Sequence, residues 1–294
     1  MKTAVVVPTH DRPERLRDCL GALMRLDPAP DTIIVVDDAG ARPAAPVCAT
    51  FGERVRCLAL KRNGGPAKAR NHGVRATDAR LIALTDDDCM PRPDWLGMLA
   101  AAQGGVAGRM VGGHVRNALP GNVYAAASQS LCDYLYAAGG NDGGDTAFFT
   151  TNNLAFDRDL FDRIGGFDES FPRAAGEDRD LGQRWRDAGG ALVHAPQAVV
   201  DHAHHMDFRG FWRQQSNYGR GARHLQARMD ARQAAEPRFS SPGFYARLVT
   251  HPLRDGQPRS VSRSALLSLA QLATAWGYGL ERLRERASPG SDQG

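Results

Sequence analysis

The sequence predicts an α/β fold, a mostly parallel sheet flanked by helices, followed by a helical extension. Three observations carry that expectation. Apolar, β-branched runs alternate with segments of helical periodicity over about the first 90 residues. Several of those runs end in acidic residues, as strands do where a sheet edge opens onto a crevice. The last third of the chain then changes character, from an acidic body to a basic, helix-patterned stretch.

Residues 4–7 form the first β-branched run, with Pro8 as its expected stop. Leu16, Leu20, Leu23 and Met24 follow at helical spacing behind Asp11 and Pro13. Residues 32–36 read as a second strand ending in Asp37 and Asp38, and 55–60 as a third. Gly64, Gly65 and Pro66 then turn the chain into a helix bearing Lys68 and Arg70. Residues 81–84 are an apolar strand running into Asp86, Asp87 and Asp88.

Further on, 108–115 reads as a strand, 123–138 as a helix, 139–145 as a loop or lid and 148–156 as a strand. Leu181 and Trp185 mark the buried face of a helix opened by Glu177 and Asp178 and closed by Gly189 and Gly190. Short strands at 191–194 and 198–200 flank Pro196 and lead to His202, His204 and His205.

Composition excludes several classes. The first strand is followed by PTHDRPERL, without the glycines of a dinucleotide-binding turn, and no Walker-type phosphate loop occurs. The same turn lacks the basic, glycine-rich loop of a nucleotidyltransferase. Five scattered cysteines in no Cys-x-x-Cys pair fit a reduced, cytoplasmic protein. The start of the chain reads as a strand and not a signal peptide, and no apolar run reaches the ~20 residues of a membrane span. The net charge of +4 is unevenly spread: residues 208–263 carry eleven arginines against Asp230, Glu236 and Asp255, 264–294 balance, and 1–207 carry −4. Aromatics interleave with arginines after residue 208, but the acidic body and the lack of a recognised module argue against nucleic acid.

The polar clusters have ordinary explanations one by one. Asp38 suits a turn, Glu177 and Asp178 favour a helix N-terminus, and histidines are commonly structural. Together they lie at strand ends and helix starts, which a parallel sheet gathers at one edge. There they would supply metal ligands, a base and a cation.

With those residues placed, the chain resembles the family-2 glycosyltransferases of the GT-A fold, a Rossmann-like sheet, over roughly residues 3–205. The motifs that carry the resemblance are VVVPTHDR, IIVVDDAG, NGGPAKARNHG, LIALTDDDC, TTNNLAFDRDLFDRIGGFDESF, GEDRDLGQRWRDAGG and HAPQAVVDH, in the family's order. The resemblance implies a catalytic domain at 1–207 and a basic, mainly helical extension at 208–294.

It also implies roles. Pro8, Thr9, Asp37 or Asp38, Arg70, Asp86 and Asp87 would hold the nucleotide of a UDP-, GDP- or dTDP-sugar. Asp86, Asp88 and His202 would bind Mn²⁺ or Mg²⁺, with the register of the acidic triplet open by one. Asp178, beside Glu177, would be the base of an inverting displacement. Asn152, Asn153, Gly166, Phe167 and Asp168 would lie near sugar and acceptor, and His204 and His205 are expected to be solvated. The acceptor would be a glycan, a lipid-linked or a small molecule, in cell-surface glycan or glycolipid synthesis.

Residues 264–284 are amphipathic, with Leu266, Leu269, Ala273, Trp276, Leu280 and Leu283 expected on one face. That face would pack on the protein or on a second subunit in a homo-oligomer. Alternatively, 208–284 would make a peripheral contact with the cytoplasmic side of a membrane.

Overall fold

The computed structural model describes residues 1–141, 148–171, 175–232 and 241–287. They divide into two compact units. One comprises Met1–Ala118, 148–171 and Asp178–His204, and the other Leu119–Ala138, 175–177 and the described residues from His205 onward.

In chain order the elements begin β1 (Thr3–Thr9), α1 (Pro13–Leu23), β2 (Thr32–Asp37), α2 (Ala45–Ala49), β3 (Val55–Ala59), α3 (Gly65–Arg75) and β4 (Leu81–Leu84). There follow β5 (Cys89–Pro91), α4 (Trp95–Gln103), β6 (Arg109–Asn117), α5 (Val123–Asn141), β7 (Leu154–Asp157), α6 (Arg158–Arg163) and α7 (Glu177–Asp187). The last are β8 (Ala191–His202), α8 (Phe208–Ala231), α9 (Pro242–Thr250) and α10 (Ser260–Ala287).

The strands of the first unit form one sheet in the order β3-β2-β1-β4-β7-β6-β8-β5. The first four are parallel, β7 runs antiparallel to β4 and β6, and β6 and β8 are parallel. The apolar runs are buried, with Val5, Ile33, Ala83 and Val111 in one core cluster with Leu16, Leu20 and Trp95. Strands buried on both faces read as continuous rather than alternating apolar runs, which is why the sequence pattern revealed them.

Three strand expectations change. β1 continues through Pro8, which pairs with Val36. The carbonyl of Val6 accepts the Thr85 N–H (3.3 Å), so Pro8, two residues on, faces the side where β4 has already ended. Its missing N–H therefore costs no ladder bond. The two strands expected around Pro196 are one, β8, whose pairing with β6 shifts between Gly113 and His114 and so absorbs the proline in an irregularity. The strand expected at 148–156 is only β7, because Thr151–Asn153 forms a 3₁₀ turn. There the Asn153 amide takes the Trp95 indole N–H (2.8 Å) and donates to the carbonyls of His114 and Ala198 (2.9 Å each). The loop expected at 139–145 begins inside α5, and from residue 142 it lies outside the described residues.

In the second unit α8 and α10 pack closely. A Cβ added at Gly219 would collide with the carbonyl oxygen of Thr274, and one at Gly277 with that of Ser216. Small residues therefore set the contact, and the buried residues of α10 are Arg263, Leu267, Ala270, Ala273 and Gly277. The residues expected on one apolar face are covered only in part. Ala273 is buried and Leu266 packs on the cluster of Ala127 and Phe211, but Trp276 and Leu283 are exposed. Buried Arg263 is held by Asp255 (2.6 and 2.7 Å) and Ser130 (2.8 Å).

Candidate active site

The three aspartates that follow β4 point to different partners. Asp87 is fully buried; it accepts the Thr9 hydroxyl (2.6 Å) and pairs with the Arg12 guanidinium (2.7 Å). Burial lifts its carboxyl to about 7, against the pull of Arg12 and the Thr9 bond. Asp87 thus braces the loop after β1, so Thr9, too, is committed within the protein. Asp86 is partly exposed and accepts from Arg70 of α3 (2.8 Å).

Asp88 faces His202, and the sheet dictates this. Cys89 of β5 is the register partner of His202 in β8, and the Ala203 N–H continues the ladder to the Asp88 carbonyl (2.9 Å). His202 Nε2 consequently lies 3.3 Å from Asp88 Oδ1. The other oxygen, Oδ2, is held by Arg12 (3.1 Å) and more loosely by Arg15 (3.5 Å). Burial would raise the Asp88 carboxyl, but His202 and Arg12 together hold it well below the usual range. His204 is partly buried with its ring centroid 5.1 Å from that of His202, and burial lowers it to about 4. It is therefore a neutral neighbour of the site rather than a solvated residue, while His205 is exposed as expected.

A divalent cation fits this place. One ligand atom each of Asp88, Cys89 and His202 lie within 4.8 Å of one another. An ionised carboxylate and an imidazole suit Mn²⁺ or Mg²⁺. The Cys89 thiol is fully buried and pushed well up by burial and the nearby aspartates, so it stays protonated beside the pair.

Asp37 and Asp38 are both spent on loop backbone. Asp37 accepts the N–H groups of Gly40 (3.0 Å) and Ala44 (2.8 Å). Asp38 accepts those of Gly64 (2.7 Å) and Gly65 (2.8 Å), holding the turn that launches α3. That fixes Arg70, which is almost fully buried with its guanidinium 5.8 Å from the Phe167 ring centroid.

Gly166, Phe167 and Asp168 are set by Asn71, the residue after Arg70. The Asn71 amide donates to the Phe167 carbonyl and accepts the Phe167 N–H (2.9 Å each). Gly166 has φ +71°, and a Cβ there would lie 2.6 Å from Asn71 Oδ1. Asp168 accepts the Ser170 N–H (2.9 Å). The Asn152 carbonyl accepts the Thr85 hydroxyl (3.0 Å), and Asn153 is committed to the bridge already described.

α7 places Glu177 and Asp178 in its first turn. Its far end is fixed by the Trp185 indole on the Gly108 carbonyl (2.8 Å) and by Arg184, which joins Asp180 (2.7 Å) to the Ile164 carbonyl (2.9 Å). Asp178 is half-buried and accepts the Arg179 N–H (2.8 Å). Burial holds its carboxyl above the ordinary range, opposed by Arg179 and Arg70. Glu177 is buried. Arg70, which bonds Asp86, thus also acts electrostatically on Asp178.

Sequence reasoning assigned no role to Arg12, Arg15 or Asn71. Arg12 stood inside PTHDR, and a cation three residues past β1, with three carboxylates after β4, was the available signal.

Residues 4–165 match the model of a family described as glycosyl transferase family 2. Over 230 residues the chain is 29% identical to the pre-mycofactocin glycosyltransferase of Mycobacterium tuberculosis, covering 76% of this chain and 47% of that protein. Over 212 residues it is 28% identical to the validoxylamine A glucosyltransferase of Streptomyces hygroscopicus subsp. limoneus, covering 62% and 47%. The chain spans about half the length of these curated relatives. Among solved structures, the mannosyltransferase PcManGT from Pyrobaculum calidifontis in complex with GDP-Man and Mn²⁺ aligns with a TM-score of 0.60 at 17% identity, over 98% of this chain and 76% of that one. S. aureus TarS 1-349 in complex with UDP-GlcNAc aligns with a TM-score of 0.58 at 14% identity, over 98% and 93%. Both share the GT-A fold with this chain.

Proposed function

The chain belongs to glycosyl transferase family 2, and we propose that it moves a sugar from a nucleotide-diphosphate donor to an acceptor hydroxyl by a metal-assisted single displacement that inverts the anomeric carbon. The observation that carries this reading is the pairing of Asp88 with His202 beside Asp86 and Arg70. A divalent ion held by Asp88 and His202 would supply stabilisation of negative charge on the departing diphosphate. The remaining tasks fall to the chain's own groups.

Arg12 fixes Asp88 through Oδ2, leaving Oδ1 toward His202. Arg70 offers a buried cation to the donor's phosphates or ribose, with Asp86 as its partner. Pro8, Thr9, Asp37 and Asp38 shape the wall for the base and ribose through the loops they brace, and Asp87 does so from beneath. The loop from Gly166 to Asp168 and the turn at Asn152 and Asn153 form the sugar and acceptor side. Asp178 takes the acceptor hydroxyl's proton as that oxygen attacks, and a carboxylate raised by burial is a stronger base than one in water. Glu177 lies beside it in sequence.

The donor is a UDP-, GDP- or dTDP-sugar; solved structures of this fold that hold GDP-Man or UDP-GlcNAc support the first two classes. The acceptor is a glycan, a lipid-linked or a small molecule, and cell-surface glycan or glycolipid synthesis is the setting we favour. Incubation with each donor class, with and without Mn²⁺ or Mg²⁺, tests the reading. Metal-dependent release of a nucleoside diphosphate is expected. Metal-dependent binding without turnover would reduce the chain to a nucleotide-sugar-binding protein, and release of pyrophosphate instead would mark a nucleotidyltransferase.

A further inference from the structure

α10 carries an apolar stripe on the side turned away from α8. Val261, Leu269, Leu272, Trp276, Leu280 and Leu283 recur at helical spacing along it. Val261 is 73% exposed, Leu272 65%, Trp276 58% and Leu283 62%. The side of the helix that packs against α8 is built instead from small residues, as Gly277 and Ala273 show. Val261, Leu272, Trp276 and Leu283 are thus left uncovered by the described residues, with Leu269 and Leu280 half-buried beside them, and exposed apolar stripes mark interaction faces.

The charge around the stripe is one-sided. Arg284 and Arg286 stand on its two margins by helical geometry, and Arg247, Arg254, Arg259 and Arg282 of the same unit are also exposed. The acids of α10 stand off the stripe: Glu285 is bound to Arg223 of α8 (2.6 Å), and Glu281, four residues past buried Gly277, falls by helical geometry on the α8-facing side. A second copy docked stripe to stripe would bring the arginine margins together with no acid of α10 on the stripe between them, whereas an anionic surface meets both the apolar stripe and its basic rim.

We propose that the exposed stripe of α10 docks onto an anionic lipid surface, with Leu272, Trp276 and Leu283 entering the headgroup region and the marginal arginines contacting lipid phosphates. An amphipathic helix of this kind lies in the interface plane without crossing it. Among the described residues no helix is long and apolar enough to cross a membrane. Binding through this face is independent of the Asp88 site, so its failure leaves the proposed transfer chemistry untouched.

The full chain, mixed with phosphatidylcholine vesicles with or without phosphatidylglycerol, should float with the anionic vesicles only and be released by salt. Trp276 emission should shift to the blue on binding, and the shift should vanish in Trp276→Phe. The double variant Leu272→Ser/Leu283→Ser should lose binding by on the order of tenfold or more, with its circular dichroism unchanged. Arg282→Gln/Arg284→Gln/Arg286→Gln should weaken binding to anionic vesicles in the same assay. No vesicle binding by the wild type would overturn the proposal, as would binding unchanged by the leucine variant. A dimer that the leucine variant dissociates, without vesicle binding, would assign the face to a second copy instead.

Discussion

His202 Nε2 lies 3.3 Å from Asp88 Oδ1 because a three-residue strand, β5, pairs with the end of β8. The two side chains are neighbours by register, and Arg12 takes the carboxylate oxygen that His202 does not. The candidate metal site is therefore built by backbone pairing and trimmed by one guanidinium.

Asp87 and Asp88 should separate in their effects. Asp87→Asn weakens the bonds to Thr9 and Arg12 inside the protein, and should cost about 1–3 kcal/mol of stability while keeping metal-dependent nucleotide binding within several-fold. Asp88→Asn should also lower the stability of the metal-free protein, because it breaks the ion pairs with Arg12 and His202, but unlike Asp87→Asn it should abolish the metal dependence. Urea denaturation and nucleotide titration on both variants distinguish them; equal losses of metal-dependent binding would place the metal across the whole triplet.

Asp178→Asn should lower transfer by about a thousandfold or more and leave nucleoside-diphosphate binding within about twofold. Because burial raises the Asp178 carboxyl, its basic form is gained at higher pH than for an ordinary aspartate. The wild-type rate should thus rise with pH along an acid limb displaced upward from the usual aspartate value. Transfer undiminished in Asp178→Asn would reassign the base.

His204 predicts a pH-dependent stability. Its folded-state value, about 4, lies below the unfolded value of 6.5. A depressed group contributes stability that is present above the unfolded value and lost as pH falls toward the folded one. Metal-free protein should therefore lose on the order of 2 kcal/mol between about pH 6.5 and pH 4 from this group, and His204→Asn should flatten that part of the profile. Urea midpoints at pH 7 and pH 5 provide the check, and parallel losses in both proteins would remove His204 as the cause.

Gly166→Ala forces a side chain onto a positive φ and against Asn71 Oδ1. It should destabilise by about 1–3 kcal/mol, read as a lowered Tm. Asn71→Ala should also lower the Tm, and together the two changes should cost less than their sum if they act through the same loop.

Much of this was legible in the residues. The buried strands β1 to β4 appear as unbroken apolar runs, and the acidic triplet, His202 and Asp178 stand in recognisable company. The triplet's division of labour was not legible, since three identical side chains in a row differ only in which way the strand end turns them and whether Arg12 reaches them. Nor was β5, because three residues are too few to show periodicity, yet its register brings His202 to Asp88. The turn at Thr151–Asn153 looks extended in sequence, and only the bonds of the Asn153 amide reveal it. On α10 the sequence pattern groups the apolar residues on one side but does not show which side meets α8, because Gly219 and Gly277 let the helices approach through small residues.

On the proposed function, Asp88 and His202 hold a divalent ion on which donor binding depends. Calorimetric titration of UDP, GDP and dTDP into the wild-type chain, in Mn²⁺ and in EDTA, tests it most directly. At least one nucleotide should bind, and EDTA should weaken that binding by about tenfold or more. Equal affinity in Mn²⁺ and EDTA, or no binding of any of the three, would contradict it.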